Sequence, residues 1–290
     1  MRVGIVGTGY IAGRHAEALT GLGVEIVGHV SRTGPYQHVR DLPDVDAVWI
    51  CVPPGAHADT EHALIERDVP FYVEKPVGTG VEVPRRIAAA LRERGTIAGV
   101  GYYWRAMEVI PELRRLLAET PPRLVRAAWH GVLPPVPWWR VQEQSGGQVV
   151  EQATHLFDLA RFLLGEAEVR HAEVTHSPGL EVASVSTATL RFASGPIGVF
   201  TATCVLHATV DAGIEFHCDG RKLTLTNKVL RREDASGVHE TPVGRDALAL
   251  ADERFLAAVS QQDPSLMVCT YADAVRTQEL CVRVRELADD

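Results

Sequence analysis

The stretch Gly4-Ile5-Val6-Gly7-Thr8-Gly9-Tyr10-Ile11-Ala12-Gly13 decides how this chain folds. Residues 3–6 are apolar and read as a buried strand, and residues 10–22 carry apolar side chains at helical spacing. Between strand and helix lies G-x-G-x-x-A, at Gly7, Gly9 and Ala12. Gly7 permits a tight turn, Gly9 lets the backbone approach a pyrophosphate, and Ala12 lets helix and strand pack closely. The helix start adds free N–H groups and the positive end of a dipole, both suited to phosphate. Tyr10 and Ile11 fall in the same turn and join the candidate dinucleotide contacts. Alone the motif is a Gly-rich turn; the strand before it and the helix after it make it a dinucleotide loop.

Outward from that loop, residues 24–30, 46–52, 71–73 and 97–101 read as strands, with helices at 56–68 and 83–94. Alternating strand and helix predicts a parallel sheet with right-handed crossovers. A helix at 111–119 stops at Pro121-Pro122, and the boundary between two domains, 1–120 and 121–290, is placed there. The rhythm then changes. A strand at 124–132, a Pro- and Trp-rich loop at 134–140 and Gly146-Gly147 lead into a helix at 149–164. Alternating runs at 169–176, 183–192, 197–205, 213–218 and 222–230 follow without helices between them, which predicts an antiparallel sheet. Helices at 247–262 and 271–287 close the chain.

Composition narrows the function. With 46% hydrophobic and 23% charged residues, the chain is ordinary globular protein. Its formal net charge of -8 argues against a nucleic-acid partner, which calls for a basic face. No apolar run nears the roughly 18 residues that span a bilayer, so no membrane association is expected. The chain opens directly into a strand with no signal-peptide pattern. Five cysteines, with no CxxC, speak against a disulfide framework and for a reducing compartment, the cytoplasm.

Several residues carry chemistry. Only three of the 29 basic residues are lysines: Lys75, Lys222 and Lys228. Lysine can release its proton at accessible pH and arginine cannot, so Lys75, in Glu74-Lys75-Pro76 at the end of a strand, suits proton transfer to or from a substrate hydroxyl. The alternative is a surface salt bridge. Ser31-Arg32-Thr33 ends the second strand, where an acidic residue would bind the ribose of NAD; a guanidinium and two hydroxyls suit the 2′-phosphate of NADP. NADP is therefore expected, with NAD possible; the alternative leaves Arg32 on the adenine or in solvent. Val52-Pro53-Pro54-Gly55-Ala56-His57 follows the third strand at the ligand edge. Val52 and Pro53 are candidate cofactor contacts, and His57 either touches the cofactor or merely starts a helix. On the later helix, Glu151, His155 and Asp158 stand at i, i+4 and i+7 and share one face among apolar neighbours, which requires a polar cleft or mutual pairing. A metal on Glu151 and His155 lacks further ligands at suitable spacing, so none is expected. Tyr102, Tyr103, Trp104 and Arg105, with Trp138, Trp139 and Arg140, offer aromatic faces and guanidinium groups suited to a sugar, polyol or hydroxy acid, or to packing.

Taken together, the Gly7 fingerprint, Pro53-Pro54-x-x-His57, Glu74-Lys75-Pro76, Gly101-Tyr102-Tyr103-Trp104-Arg105 and the Gly146-Gly147 turn before a His-bearing helix resemble the Gfo/Idh/MocA oxidoreductases over nearly the whole chain. The resemblance implies an α/β fold: an N-terminal Rossmann parallel sheet plus a C-terminal α/β domain with an open, mostly antiparallel sheet. It implies a homodimer or homotetramer formed through that sheet. It also implies hydride transfer between a nicotinamide and a secondary alcohol or ketone of a small molecule. Lys75 and His155 match family catalytic residues, and Glu151 stands where an aspartate is usual. Tyr103, Arg105, Trp139, Arg140 and His155 are the candidate substrate contacts, and Glu74 joins Lys75 beside the cofactor. Fourteen residues separate Ser31 from Asp46, where the family usually has a helix and an edge strand, so the adenine side is expected to be trimmed. A dinucleotide-binding regulator without turnover, and an imine or tetrapyrrole reductase, are the competing functions.

Overall fold

The structure, a computed structural model, describes residues 1–289. β1 (Arg2–Val6), β2 (Glu25–Val30), β3 (Ala47–Ile50), β4 (Phe71–Val73) and β5 (Ala98–Val100) pair in parallel in the order β2-β1-β3-β4-β5. β1, β3, β4 and β5 are buried along nearly their whole length because both faces of the sheet are covered, whereas the edge strand β2 is only partly buried. Val48, Ile50, Phe71 and Val73 pack against Leu64 of α2 (Ala58–Glu66) and Ile87 and Leu91 of α3 (Glu82–Arg94). Val3, Ile5, Ala47, Trp49 and Tyr72 pack against Ala12 and Leu19 of α1 (Tyr10–Gly21) and Leu250, Phe255 and Val259 of α7 (Ala247–Gln261). The strand order reverses between β1 and β3, and the crevice beyond their carboxyl ends is where such sheets hold ligands.

The connection between β2 and β3 is as trimmed as the fourteen-residue spacing predicts and holds no α-helix. A single 3-10 turn, Val39–Asp41, stands in its place, and the ring of Tyr36 lies where a Cβ at Gly28 would go. Thus the edge strand is flanked by a short, closely packed connection.

The chain divides into two compact units, residues 1–106 with 246–276, and residues 107–245 with 277 onward. From sequence, the boundary falls at 120 and both closing helices belong to the second domain. In the structure α7 belongs to the first unit, because its apolar stripe covers a sheet face that α1 alone leaves partly bare. α8 (Tyr271–Asp289) starts in the first unit and continues in the second.

In the second unit, α4 (Ile110–Glu119) precedes β6 (Pro122–His130), and α5 (Gln142–Ser145) and α6 (Thr154–Leu164) precede the long run of strands. β7 (Ala167–Thr175), β8 (Val185–Phe192), β9 (Ile197–Thr203), β10 (Asp211–Cys218), β11 (Arg221–Thr226), β12 (Val229–Asp234) and β13 (Gly237–Pro242) join β6 in the order β13-β12-β11-β10-β6-β9-β8-β7. All pairs are antiparallel except β6 with β9. Buried and exposed residues alternate along β8, and Phe157 of α6 stacks on Phe200 at 4.5 Å.

Three elements depart from expectation. Residues 222–230 are two strands, because Thr226 Oγ1 accepts from the Lys228 and Val229 amides and closes a turn at Asn227. β13 is exposed along its whole length and offers no apolar face to read. The helix expected from 149 opens as a π-turn, Val149–Ala153, before α6.

Candidate functional site

The loop after β1 is built as its glycines require. Gly7 has φ +112°, and a Cβ there would lie 2.7 Å from the Cys51 carbonyl oxygen, so only glycine fits. A Cβ at Gly9, by contrast, would meet no atom of the chain within 4 Å, so internal packing does not explain that glycine. Gly9 caps α1 without a side-chain hydrogen bond, and the first turn holds no acidic residue. The leading amides of α1 thus lack a capping side chain and a competing carboxylate, which fits an anionic pyrophosphate. Beside them Ala12 is buried, Ile11 half-buried, and Tyr10 exposed. The Tyr10 hydroxyl accepts from Arg14, whose guanidinium also pairs with Asp246 at 2.6 Å.

Ser31, Arg32 and Thr33 form the turn that leaves β2, closed by the Gly34 amide donating to the Ser31 carbonyl. Ser31 is half-buried, and Arg32 and Thr33 are exposed. Val52 and Pro53 are half-buried just beyond β3. His57 is buried and donates from Nε2 to the Val52 carbonyl at 2.7 Å. Its ring thus holds the loop from inside. Burial pushes its pKa down to about 4, so it is neutral and its Nδ1 is a buried acceptor without a hydrogen-bond partner.

Glu74 and Lys75 follow β4 at the same edge. Lys75 is half-buried, and its ammonium disfavours protonation of His57 and opposes the burial that raises the Tyr103 hydroxyl. Its charge therefore reaches both neighbours. Arg105 is buried and pairs with Asp273 at 2.6 Å, an arrangement that anchors the segment after β5. Glu74 is also buried, and its carboxylate meets Nε2 of His15 at 3.0 Å. His15 was not singled out from sequence. The one available signal is its place in the buried stripe Ala12, His15, Leu19, an ionisable ring where an apolar side chain is expected.

In the second unit, Glu151 sits on the π-turn and accepts from the indole N–H of Trp139 at 2.9 Å. Trp139 is fully buried and Arg140, next to it, is exposed. The His155 ring stacks on Trp129, centroids 5.9 Å apart, a partner sequence did not suggest. π-turns are rare and concentrate at functional sites, because the extra residue redirects the side chains it carries. Asp158, the third residue of the stripe, accepts from Thr277, which accepts from Arg161. Its role is therefore structural pairing. Among the described residues no three His, Cys, Asp or Glu side chains are grouped to hold a metal ion.

Two sequence patterns of one family match this chain. One, an oxidoreductase family with an NAD-binding Rossmann fold, matches residues 23–102, and the other, the GFO/IDH/MocA C-terminal domain, matches residues 120–224. The 1,5-anhydro-D-fructose reductase of Ensifer adhaerens is 30% identical over 54% of this chain and 50% of its own length. The myo-inositol 2-dehydrogenase of Thermotoga maritima is 26% identical over 69% of this chain and 67% of its own. The chain thus spans about half to two thirds of these relatives. Among solved structures, a 3-ketoreductase from Actinomadura kijaniata in complex with NADP and TDP-benzene superposes with TM-score 0.88 at 22% identity, covering 99% of this chain and 97% of its own. A dinucleotide-ready loop on a parallel sheet, a second unit with the matching mostly antiparallel sheet and these likenesses lead to one conclusion: the chain belongs to the GFO/IDH/MocA family of NAD-binding oxidoreductases.

Proposed function

We propose that the protein transfers a hydride between a nicotinamide dinucleotide and a secondary alcohol or ketone of a sugar, polyol or related small molecule. The observation that carries this reading is the edge of the parallel sheet. There the uncapped start of α1 and the half-buried Lys75 both belong to the first unit, and Lys75 follows a strand whose carboxyl end faces the ligand side. When bound, a nicotinamide dinucleotide would supply the hydride chemistry of this reaction. Lys75 takes the proton from an alcohol or returns it to a ketone oxygen. Gly7, Gly9 and Ala12 hold the pyrophosphate, and Ser31, Arg32 and Thr33 favour a 2′-phosphate, which supports NADP over NAD. His155 and Glu151 are assigned to the substrate, the first held by its stack on Trp129 and the second by the Trp139 indole. Relatives named for anhydrofructose and inositol support the substrate class.

The chain is further proposed to form a homodimer or homotetramer through the eight-stranded sheet, and to work in the cytoplasm, where five free cysteines persist. No described helix is long and apolar enough to cross a membrane.

Titration with NADPH and NADH, followed by nicotinamide fluorescence, tests the reading first. Micromolar NADPH binding with weaker NADH binding is expected. A panel of alcohols and ketones then follows, with Lys75→Ala lowering kcat by about 10²–10⁴. Binding of neither dinucleotide overturns the proposal; binding without turnover on any panel member points to a regulator instead.

A further inference from the structure

His15 stands one turn into α1, completely buried. Its Nδ1 lies 2.9 and 2.8 Å from the two oxygens of Asp252 on α7, and its Nε2 lies 3.0 Å from Oε1 of Glu74. The Trp49 indole donates to the same Asp252 at 2.8 Å, and the Tyr72 ring meets the imidazole edge-on at 5.5 Å. Both ring nitrogens therefore face carboxylate oxygens. A neutral ring can donate from only one nitrogen, so a proton must lie on each N···O line, and the cluster holds one more proton than a neutral imidazole between two carboxylates. The ionisable groups around the ring are Asp252 from α7, Glu74 from the end of β4 and Tyr72; burial first, and then the two carboxylates, push up the Tyr72 hydroxyl and the Cys51 thiol.

The arrangement does more than join two helices. Glu74 is the residue before Lys75, and its backbone amide donates to the Ile50 carbonyl. Its carboxylate fills the space that a Cβ at Gly101 would take, with Oε1, the oxygen that meets His15, nearest to that position. Imidazole, backbone and Gly101 together hold Glu74 in one place, and the Lys75 backbone leaves from that fixed point.

We propose that His15 is a positioning residue for Lys75, clamping the Glu74 carboxylate against Asp252 and thereby fixing both the place of the lysine and the electric field in which it exchanges its proton. The chemical importance of that lysine rests on the proposed function; the coupling itself does not. Removing a positive charge from beneath Glu74 leaves its negative charge less compensated, which favours the protonated lysine.

Three lysines make the test tractable. Reductive ¹³C-methylation of the full chain gives one signal each for Lys75, Lys222 and Lys228 beside that of the N-terminal amine, with Lys75→Arg as the assignment control. Each signal is titrated in the wild type, in His15→Gln and in Gly101→Ala. The last variant displaces the Glu74 carboxylate without removing any charge from the cluster, and it serves if His15→Gln does not fold. The Lys75 midpoint is expected to rise by about half a pH unit or more in His15→Gln and to move in Gly101→Ala, while Lys222 and Lys228 hold still. A Lys75 midpoint unchanged in the folded variants overturns the proposal and leaves His15 a structural staple. The NADPH titration of the wild type reads the proposed function separately, since its failure would not move the Lys75 midpoint.

Discussion

His15 and His57 lie in the same unit, and both are buried, at 0% and 1% exposure, yet the protein holds them in opposite states. For both, burial is the largest influence and works against the charged ring. At His57 nothing outweighs it: the hydrogen bond to the Val52 carbonyl and the charge of Glu74 favour the charged ring, Lys75 opposes it, and the pKa falls to about 4. At His15 burial is overcome by the charge and hydrogen bond of Asp252 and then by those of Glu74, and the pKa rises to about 9. Burial alone therefore does not decide the charge of an interior histidine. The partner does, and two carboxylates within 3.0 Å are sufficient.

The contrast between the two rings depends most on the counter-charge of His15. Asp252→Asn or His15→Phe leaves a buried charge without its counter-charge, and a loss of about 3–5 kcal/mol in urea unfolding is expected. A loss under about 1 kcal/mol would mean the cluster is not ionic.

The two rings also give stability opposite pH dependences. The folded pKa of His15, about 9, exceeds its unfolded value of 6.5, so its contribution is complete below pH 6.5 and is lost as pH rises through 9. His57 runs the other way. Its folded pKa of about 4 lies below 6.5, so the native state becomes less stable as pH falls from 6.5 through 4. Each limb is on the order of 3 kcal/mol. His15→Gln should flatten the alkaline limb, and His57→Gln the acidic one. Glu61, one turn along α2 from His57, must be separated from both. Burial pushes its pKa up to about 8, against the hydrogen bond from Tyr271, so the folded state keeps a proton that the unfolded state releases above pH 4.5. Stability is lost on this account as pH rises from 4.5 to 8. Glu61→Gln keeps an acceptor for Tyr271 and should remove that loss, on the order of 3 kcal/mol at neutral pH in the same unfolding assay.

The two histidines also mark how far sequence carries. His57 was legible as a residue of the ligand edge because it lies five residues from Val52, and local spacing is what a sequence displays. The Gly7 loop, Glu74-Lys75-Pro76 and the trimmed connection after Ser31 were legible for the same reason. The His15 cluster was not. Its members stand at 15, 74 and 252, and each alone reads as a stray polar residue on an apolar face. Trp129 beside His155 and Trp139 beside Glu151 are hidden likewise, by folding rather than by pattern. The hairpin at Asn227 was missed because Thr226 closes it with a side-chain bond, without a glycine or proline to announce it. α7 joins the first unit, and nothing in its stripe says which sheet it covers.

The smallest expected effect concerns the ring that lies against His15. The Tyr72 hydroxyl is buried and has no hydrogen-bond partner, although Asp252 and Glu74 are near enough to hold its proton on. An unsatisfied buried hydroxyl destabilises the folded state, and deleting it removes that penalty. The rest of the ring stays useful: it stacks with Trp49 and meets Phe255 edge-on at 5.4 Å. Tyr72→Phe should therefore leave stability unchanged or raise it by about 1 kcal/mol, read from the urea midpoint at constant m. If stability fell instead, the hydroxyl would be donating to a carboxylate of the cluster. His15 would then share its partners with one more donor than Trp49, and the contrast with His57 would owe less to charge and more to hydrogen bonding.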